Sequence, residues 1–314
     1  MNKEIGGYFE LEKQSECILG EFHKKAVPIN LGRNAIPFLA LTQKIKTIYL
    51  PYYLCDSVEN ACASCGIKVK KYHINSKFMP IFHNVLKNDE YLYIVNYFGL
   101  FNNTTIHVLK RRYKNLIIDN VQSFFSSPIR NTPTIYSCRK FFGVPDGGYV
   151  YSKPIVSLKK DSSADRFKHL KGRLNTTAEE YFNDYKKNED LLSHLPLLAM
   201  SDETHSILEK IDYKNVKSKR TRNFNYLDKN LSRINQLKIG QIHGAYCYPL
   251  LIENGKTIRE KLIKNRIYIP LLWPNLTDLN SFEEQLVSNL LILPCDQRYN
   301  TKDMERITNL INEN

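Results

Sequence analysis

The first half of the chain alternates strand-like and helix-like segments, and this alternation constrains the fold more than any other feature. Strands are predicted at 46–51, 67–74, 91–99, 115–120, 134–138 and 147–152, and helices at 56–66 and 104–113. Asp56 or Ser57 suits the N-cap of the first helix, and Gly66 is a natural C-terminal stop. Strands alternating with helices form a mostly parallel sheet through right-handed crossovers. We therefore predict an α/β fold with a mostly parallel central sheet, helices on both faces, and ligands at the carboxyl ends of the strands.

The second half of the chain has a different texture. Helices are predicted at 176–192, 255–265 and 301–312, and the span 201–231 is predicted as one long connecting helix after a short turn. Thr176 and Thr177 each precede a glutamate at capping-box spacing. Shorter strands are predicted at 245–252 and 266–273. We therefore predict a large domain over residues 1–200, and a connecting helix with a small C-terminal α+β domain over 201–314, on which the N-terminal segment can also pack.

The charge and cysteine content exclude some classes of protein and favour others. The net charge is +13, but the lysines are scattered along the chain. This distribution favours a solvated surface over a nucleic-acid site. Binding of phosphorylated small ligands remains compatible with it. No run of about 18 apolar residues and no signal-like N-terminus is present, so we expect no membrane span. Seven cysteines in such a chain indicate reduced thiols in a cytoplasm. Cys62 and Cys65 lack a second pair, so we expect buried side chains and no metal site.

A glycine-led helix start is predicted near residue 32. Gly32 and Asn34 come directly before an apolar helical pattern, and Pro37 falls in the first turn, where it is tolerated. The first backbone N–H groups of a helix are unpaired and lie at the positive end of its dipole. This turn is therefore a candidate phosphate site, although most turns of this kind are only helix starts.

Two further candidates lie at strand ends. Asp119 ends the apolar strand of LIIDN, where a carboxylate is costly without a cationic partner, and Gln122 follows three residues later. The alternative role of Asp119 is a cap for the next turn. Lys140 is the second residue of a cation pair with Arg139 in SCRKFFGVPDGGY, just before a turn built from Gly, Pro and Asp. A phosphate site, a strand-end carboxylate and a framed lysine are the parts that pyridoxal 5′-phosphate (PLP) requires.

With these residues in place, the sequence resembles the nucleotide-sugar aminotransferases of the DegT/DnrJ/StrS type, which have PLP-dependent transferase fold type I. The resemblance covers nearly the whole chain and includes IGGYFELE and LPCDQRY, which are similar to short divergent members. Its three ordered motifs are Gly32-Arg33-Asn34-Ala35, Asp119-Asn120-Val121-Gln122, and Lys140 followed by Asp146-Gly147-Gly148.

The resemblance implies a role for each motif. Lys140 is expected to bind the cofactor covalently and to move the proton during transamination, and Asp119 to pair with the pyridine nitrogen. Gln122 is expected to hydrogen-bond the phenolic oxygen of PLP. The backbone N–H groups of Arg33 and Asn34, at the turn led by Gly32, are expected to bind the phosphate.

The chain also departs from the family pattern at two positions. The aromatic residue that stacks on the pyridine is replaced by Cys55, with Tyr52, Tyr53 or Tyr97 as alternative sources of a ring. The phosphate-binding serine is absent at Ile135, and the nearest hydroxyl is that of Ser137, so Arg139 is a further candidate for the phosphate charge.

The resemblance therefore implies a PLP-dependent aminotransferase that transfers an amino group from glutamate or glutamine to a nucleotide-linked keto-sugar, for surface polysaccharide or related glycan synthesis. Arg298 is a candidate for the donor carboxylate or a structural ion pair, and Tyr97 is a candidate substrate contact. The family implies a homodimer. Two alternatives stay open: a PLP-dependent sugar dehydratase, which Lys140 argues against because those enzymes have histidine there, and a non-catalytic homologue that serves as a sensor or scaffold.

Overall fold

The computed structural model describes residues 3–153 and 156–313, so residues 1, 2, 154, 155 and 314 of the predicted domain ranges lie outside it. The strands within the described residues are β1 (Ile5–Gly6), β2 (Val27–Ile29), β3 (Thr47–Pro51), β4 (Lys68–Ile74), β5 (Pro80–Ile81), β6 (Glu90–Val95), β7 (Leu116–Asp119), β8 (Thr134–Ser137), β9 (Gly148–Tyr151), β10 (Tyr248–Leu251), β11 (Ile267–Tyr268) and β12 (Leu290–Leu293). The helices are α1 (Ala35–Thr42), α2 (Asp56–Ser64), α3 (Asn103–Arg112), α4 (Lys168–Asn175), α5 (Phe182–Ser193), α6 (Asp202–Leu208), α7 (Tyr213–Leu231), α8 (Gly255–Lys264), α9 (Ser281–Asn289) and α10 (Thr301–Asn312).

An eight-stranded sheet dominates the molecule, in the order β2-β9-β8-β7-β6-β3-β4-β5. The five central strands from β8 to β4 are parallel, whereas β9 and β5 run antiparallel to their neighbours β8 and β4. All residues of β7 and β8 are buried, as expected for strands covered on both faces. The α/β prediction is therefore confirmed, and the carboxyl ends of the parallel strands meet at one edge of the sheet.

Two small sheets complete the fold. β10 and β12 pair antiparallel, with Tyr248 opposite Leu293, and they share a buried apolar cluster with α7, α8 and α10. β1 pairs in parallel with β11, with Ile5 opposite Ile267, so the N-terminal segment is hydrogen-bonded to the C-terminal part of the chain. Two helices, α4 and α9, and four strands, β1, β2, β5 and β12, were not predicted from the sequence. The predicted boundary at residue 200 stays a prediction.

The helix predicted at 176–192 was wrong at its start. In the structure α4 ends at Asn175, just before the predicted start, and α5 begins only at Phe182. Tyr181, at the N-cap of α5, makes no side-chain capping bond. Thr176 ends α4 instead, and its hydroxyl donates to the Gly172 carbonyl at 3.1 Å. The Tyr181 ring packs against Gly172, where an added Cβ would come within 2.5 Å of it. This tertiary contact reverses the chain and overrides the local capping pattern.

Three other predicted segments differ in detail. The N-cap of α2 is Cys55, one residue before the predicted Asp56, although Gly66 does follow the helix with a φ of +67°. The span 201–231 divides into α6 and α7, because Asp212 caps a new helix by accepting from the Asn215 N–H. Only Ile267 and Tyr268 of the predicted strand 266–273 form a strand. Among the described helices, none combines the length and apolarity needed to cross a bilayer.

Candidate active site

A cavity of about 710 Å³ lies where four parts of the chain meet. The lysine wall consists of Ser137, Arg139, Lys140, Phe142 and Val144. The C-terminal wall consists of the lining residues Tyr246, Cys247, Arg259, Ile263, Tyr268, Ile269, Pro270, Ile292, Pro294, Asp296 and Arg298. Residues 6–9 and side chains of the α4–α5 region complete the lining. A volume of this size is typical of a site for a small organic ligand.

Lys140 lies on the lysine wall with its side chain exposed to the cavity. No described residue forms an ion pair or hydrogen bond with its ammonium group, and the nearest ring is that of Tyr246, with Nζ 6.0 Å from the centroid. The ionised form of the Tyr246 phenol raises the pKa of Lys140 above its ordinary value, against the opposing effect of burial. Arg139, the preceding residue, instead pairs with Glu189. Only the second cation of the pair is therefore available to a ligand.

The turn after Lys140 has little freedom. The N–H groups of Phe141 and Phe142 both donate to the Cys138 carbonyl at 2.9 Å. A side chain at Gly143 would come within 1.7 Å of the Glu10 carbonyl oxygen, so this position requires glycine. Gly147 has a φ of +114°, a conformation that glycine adopts without strain. The Gly and Pro residues around the lysine thus hold it in place.

Two buried residues hold the lysine turn against neighbouring elements, and sequence reasoning missed both. Arg220 of α7 donates to the carbonyls of Phe141 at 2.8 Å and Tyr246 at 3.3 Å, and to Gln297 at 2.7 Å. Glu12 accepts from the Gly143 N–H at 3.0 Å and from Gln297. Burial raises the pKa of Glu12 to about 7, although these hydrogen bonds lower it. No motif marks either residue, because their partners, backbone groups and the Gln297 side chain, are distant in sequence.

Asp119 lies at the carboxyl end of β7 and is buried. It accepts from the Tyr93 hydroxyl at 2.8 Å and from the Val121 N–H at 2.8 Å. Burial raises its pKa to about 6, while these two hydrogen bonds and the charge of Lys140 lower it. The bond to Val121 is the turn cap considered from the sequence, yet both donors in contact are neutral. The carboxylate therefore still lacks a directly bound cation among the described residues.

Gln122 lies beside a strained turn. Its Oε1 accepts from the N–H of Phe98, which has a φ of 55°, at 2.9 Å. Its amide nitrogen donates to no described residue, which leaves it available to a ligand. Tyr97 is not part of the cavity lining: it is buried, and its hydroxyl donates to the Tyr53 carbonyl.

The predicted phosphate site is a single 3₁₀ turn, Gly32–Asn34, that leads into α1. The polar groups of Asn34 are used within the fold. Its N–H donates to the Leu31 carbonyl, and its side-chain amide donates to Asn30 Oδ1 and to the Pro196 carbonyl. The first-turn N–H groups of Gly32 and Arg33 have no intrahelical acceptor.

Neighbouring side chains complete this corner of the site. An added Cβ at Gly32 would lie 3.3 Å from the Ser137 Cβ, so the turn and the end of β8 are in close contact. The hydroxyl of Ser137, which lines the cavity, bonds no described residue. Burial and the nearby Arg139 lower the pKa of Arg33. Two guanidinium groups therefore lie close together at this corner, and that of Arg139 is paired with Glu189.

The last two predicted residues lie in different settings. Cys55 is a free thiol at the start of α2, with Sγ 3.0 Å from the Ser57 hydroxyl, and it contributes to the raised pKa of Lys140. Arg298 lines the cavity but donates to both oxygens of Asp296, at 2.7 and 3.0 Å, and to Glu10 at 3.1 Å. Of its two predicted roles, the ion pair is present. Among the described residues, no cluster of His, Cys, Asp or Glu could hold a metal ion.

No protein-family model and no curated protein matches the sequence, but solved structures do match the fold. PseC of Helicobacter pylori, an aminotransferase involved in the biosynthesis of pseudoaminic acid, is 12% identical over 99% of each chain, with a TM-score of 0.64. A DegT DnrJ EryC1 StrS aminotransferase from Brucella abortus is 14% identical over 92% of this chain and 85% of that one, with a TM-score of 0.61. The GDP-4-keto-6-deoxy-D-mannose-3-dehydratase of E. coli, solved with hydrated PLP, is 14% identical over 91% of this chain and 87% of that one, with a TM-score of 0.62. The chain therefore has the PLP-dependent transferase fold of the sugar aminotransferases, as the sequence predicted.

Proposed function

We propose that the protein is a PLP-dependent aminotransferase acting on a keto-sugar. The observation that carries the proposal is Lys140, an unpaired lysine that faces the cavity from a rigid turn, with the buried carboxylate of Asp119 within electrostatic reach. Fold alone does not distinguish aminotransferases from the dehydratase among the similar structures. Lys140 favours the aminotransferase, since the resembling dehydratases have histidine at this position.

The residues present fit PLP. Its carbonyl requires an amine, which Lys140 offers, and its ring nitrogen requires an anion, which Asp119 offers. A cation at the ring nitrogen would also give the buried carboxylate the charged partner that it lacks. The N–H groups of Gly32 and Arg33 and the Ser137 hydroxyl offer donors for a phosphate.

The proposed mechanism assigns separate tasks to these residues. Bound PLP supplies an electron sink for the carbon from which a proton is removed. Lys140 would hold the cofactor through its amine and would serve as the group that removes and returns the proton of the substrate. Asp119 keeps a proton on the ring nitrogen by pairing with it as a carboxylate. The Gln122 amide would be the donor for the phenolic oxygen, and Cys55 stands at the position where the resembling enzymes have the stacking ring.

The fold does not identify the substrates, so they are proposed separately. We propose glutamate or glutamine as the amino donor and a nucleotide-linked keto-sugar as the acceptor, for surface polysaccharide or a related glycan. The link of PseC with pseudoaminic acid supports a sugar acceptor. The cavity volume of about 710 Å³ supports an acceptor larger than an amino acid.

Assembly and compartment are also proposals. We propose a homodimer, supported by apolar side chains left exposed on α5, namely Phe182, which is 43% exposed, and Leu191, which is 44% exposed. Light scattering of the purified protein measures its mass directly, and a fully active monomer contradicts this proposal. A cytoplasmic location is supported by seven free cysteines.

A spectroscopic experiment tests the function. Glutamate is expected to remove the visible absorbance band of the PLP-loaded protein and to release one 2-oxoglutarate per cofactor, because no acceptor is present to restore it. A panel of nucleotide-linked keto-sugars is then expected to restore the band, the correct acceptor fastest. A protein that binds PLP but responds to no amino acid contradicts the aminotransferase and favours the non-catalytic alternative, in which Cys55 at the stacking position is the first residue to examine.

A further inference from the structure

The cavity lining contains four lysine and arginine side chains, and they differ in their partners. Arg139 is paired with Glu189, and Arg298 is paired with Asp296. Lys140 is unpaired and is assigned to the cofactor by the proposed function. Arg259 is the remaining cation, and no described carboxylate forms an ion pair with it.

Arg259 is placed for ligand binding by α8. It lies on the same helix face as Ile263, four residues later, and both line the cavity. Its Nε is buried and has no hydrogen-bond acceptor. A buried donor without an acceptor is unfavourable, so the fold does not use this guanidinium for its own hydrogen bonds. Arg259 also lines a cavity large enough for a ligand whose anion its terminal amino groups could bind.

Arg259 also differs from Arg298, the arginine that the sequence singled out. The guanidinium of Arg298 already donates to Asp296, Glu10 and the Tyr8 carbonyl. An incoming anion would have to displace these partners. Arg259 has none to displace, so an anion gains the full charge-assisted interaction there.

We propose that Arg259 binds the anionic group of a substrate in this cavity. The inference rests on the proposed function for the orientation of the substrate. In that orientation the reacting carbon lies at Lys140 on the lysine wall, and the charged end of the substrate lies at Arg259 on the C-terminal wall. A planar guanidinium binds carboxylates and phosphates through two parallel hydrogen bonds. The anion is therefore the α-carboxylate of the amino donor or a phosphate of the nucleotide-linked acceptor.

The test compares Arg259→Met and Arg259→Lys with wild type and with a matched control. Lys264→Met removes one positive charge from an exposed position on the same helix. In the donor arm, loss of the PLP band is followed with glutamate and with γ-aminobutyrate, which lacks an α-carboxylate. In the acceptor arm, calorimetry measures binding of uridine and thymidine 5′-diphosphates and of the corresponding nucleosides. Thermal unfolding and PLP binding of each variant are measured in parallel.

We expect Arg259→Met to lower either the rate of the glutamate reaction or the affinity for the diphosphates by about 10- to 100-fold, the usual value of a charge-assisted hydrogen bond. Lys264→Met is expected to change neither quantity. The loss is expected to be confined to the ligand that carries the anion, with PLP binding unchanged, and Arg259→Lys is expected to recover part of it. Loss of the preference for glutamate over γ-aminobutyrate identifies the carboxylate. Loss of the preference for diphosphates over nucleosides identifies the phosphate.

Two results overturn the inference. One is an Arg259→Met protein that retains both preferences, and the other is a wild-type protein that shows neither preference. A wild-type protein without a PLP-dependent donor reaction contradicts the proposed function, while the diphosphate arm still decides the role of Arg259.

Discussion

The two walls of the cavity each contain one paired and one unpaired cation, but the chain builds the walls differently. The lysine wall comes from one continuous segment, 137–144, fixed by a glycine turn. The C-terminal wall is assembled from elements scattered between residues 246 and 298. Arg139 and Lys140 are neighbours in the sequence, whereas Arg259 and Arg298 are far apart.

This difference shows which parts of a site a sequence can reveal. A continuous wall leaves a motif with fixed spacing, so Lys140 could be selected over Arg139 before the structure was known. A scattered wall leaves no motif, and the sequence pointed to Arg298 although its charge is already balanced. We propose that pairing, rather than residue type, separates the ligand-binding cations of this cavity from the structural ones.

The largest expected effect is on the lysine wall. We expect Lys140→Ala to abolish amino transfer, because the covalent attachment of the cofactor is lost and proton transfer alone is worth about 10²- to 10⁴-fold. The fold is expected to remain, since the side chain is exposed to the cavity. The measurement is single-turnover release of 2-oxoglutarate from glutamate. The control is Lys187→Ala, at an exposed position in α5. Measurable turnover in Lys140→Ala contradicts the role of Lys140 as the reactive cation of the lysine wall.

The next effect tests the link between the walls. Arg220→Met is expected to reduce the free energy of unfolding by at least about 3 kcal/mol, because several acceptors, including the Phe141 and Tyr246 carbonyls, lose a charged donor at once. Urea unfolding measures the loss. Arg222→Met, on the exposed side of the same helix, is the control. Equal stability of the two variants shows that the walls are held by other contacts.

A smaller effect is expected at the strand end behind the lysine wall. We expect Asp119→Asn to retain PLP but to lose about 10- to 100-fold in transamination rate, since a neutral amide no longer stabilises a protonated ring nitrogen. With a pKa of about 6, Asp119 in wild type is ionised at neutral pH and takes up a proton below that value, so PLP affinity is expected to fall as the pH drops through 6. Titration of PLP at pH 5 and pH 8 measures this. An Asp119→Asn enzyme with wild-type rate leaves Asp119 as a turn cap only.

The smallest effect concerns Glu12, which joins the lysine turn to Gln297. Its pKa of about 7 in the folded protein lies above its ordinary value of 4.5, so the folded state binds the proton more tightly than the unfolded state. The resulting stabilisation is complete below about pH 4.5 and is lost as the pH rises through 7, by about 1–3 kcal/mol. Glu12→Gln is expected to remove this pH dependence in chemical unfolding at pH 5 and pH 8. The exposed Glu16→Gln variant is expected to keep it, and identical pH slopes in all three proteins contradict this explanation.

The sequence predicted the central sheet because each buried strand is a short apolar run that ends in turn residues or a helix start. It failed where tertiary contacts decide the outcome. Thr176 has a valid capping pattern, yet the packing of Tyr181 on Gly172 ends one helix there and starts another later. Arg220 is basic like many surface residues of this chain, yet it is fully buried because backbone carbonyls from distant segments surround it. Such partners are set by the fold and leave no local signal.

The most direct test of the central claim is borohydride reduction of the PLP-loaded protein followed by peptide mass spectrometry. We predict that the phosphopyridoxyl group is found on Lys140, because no described residue occupies its ammonium group and its side chain lies in the cavity. Digestion should leave Arg139 in the preceding peptide and so assign the label without ambiguity. A label on another lysine, or no label on a protein that holds PLP, contradicts the assignment of Lys140.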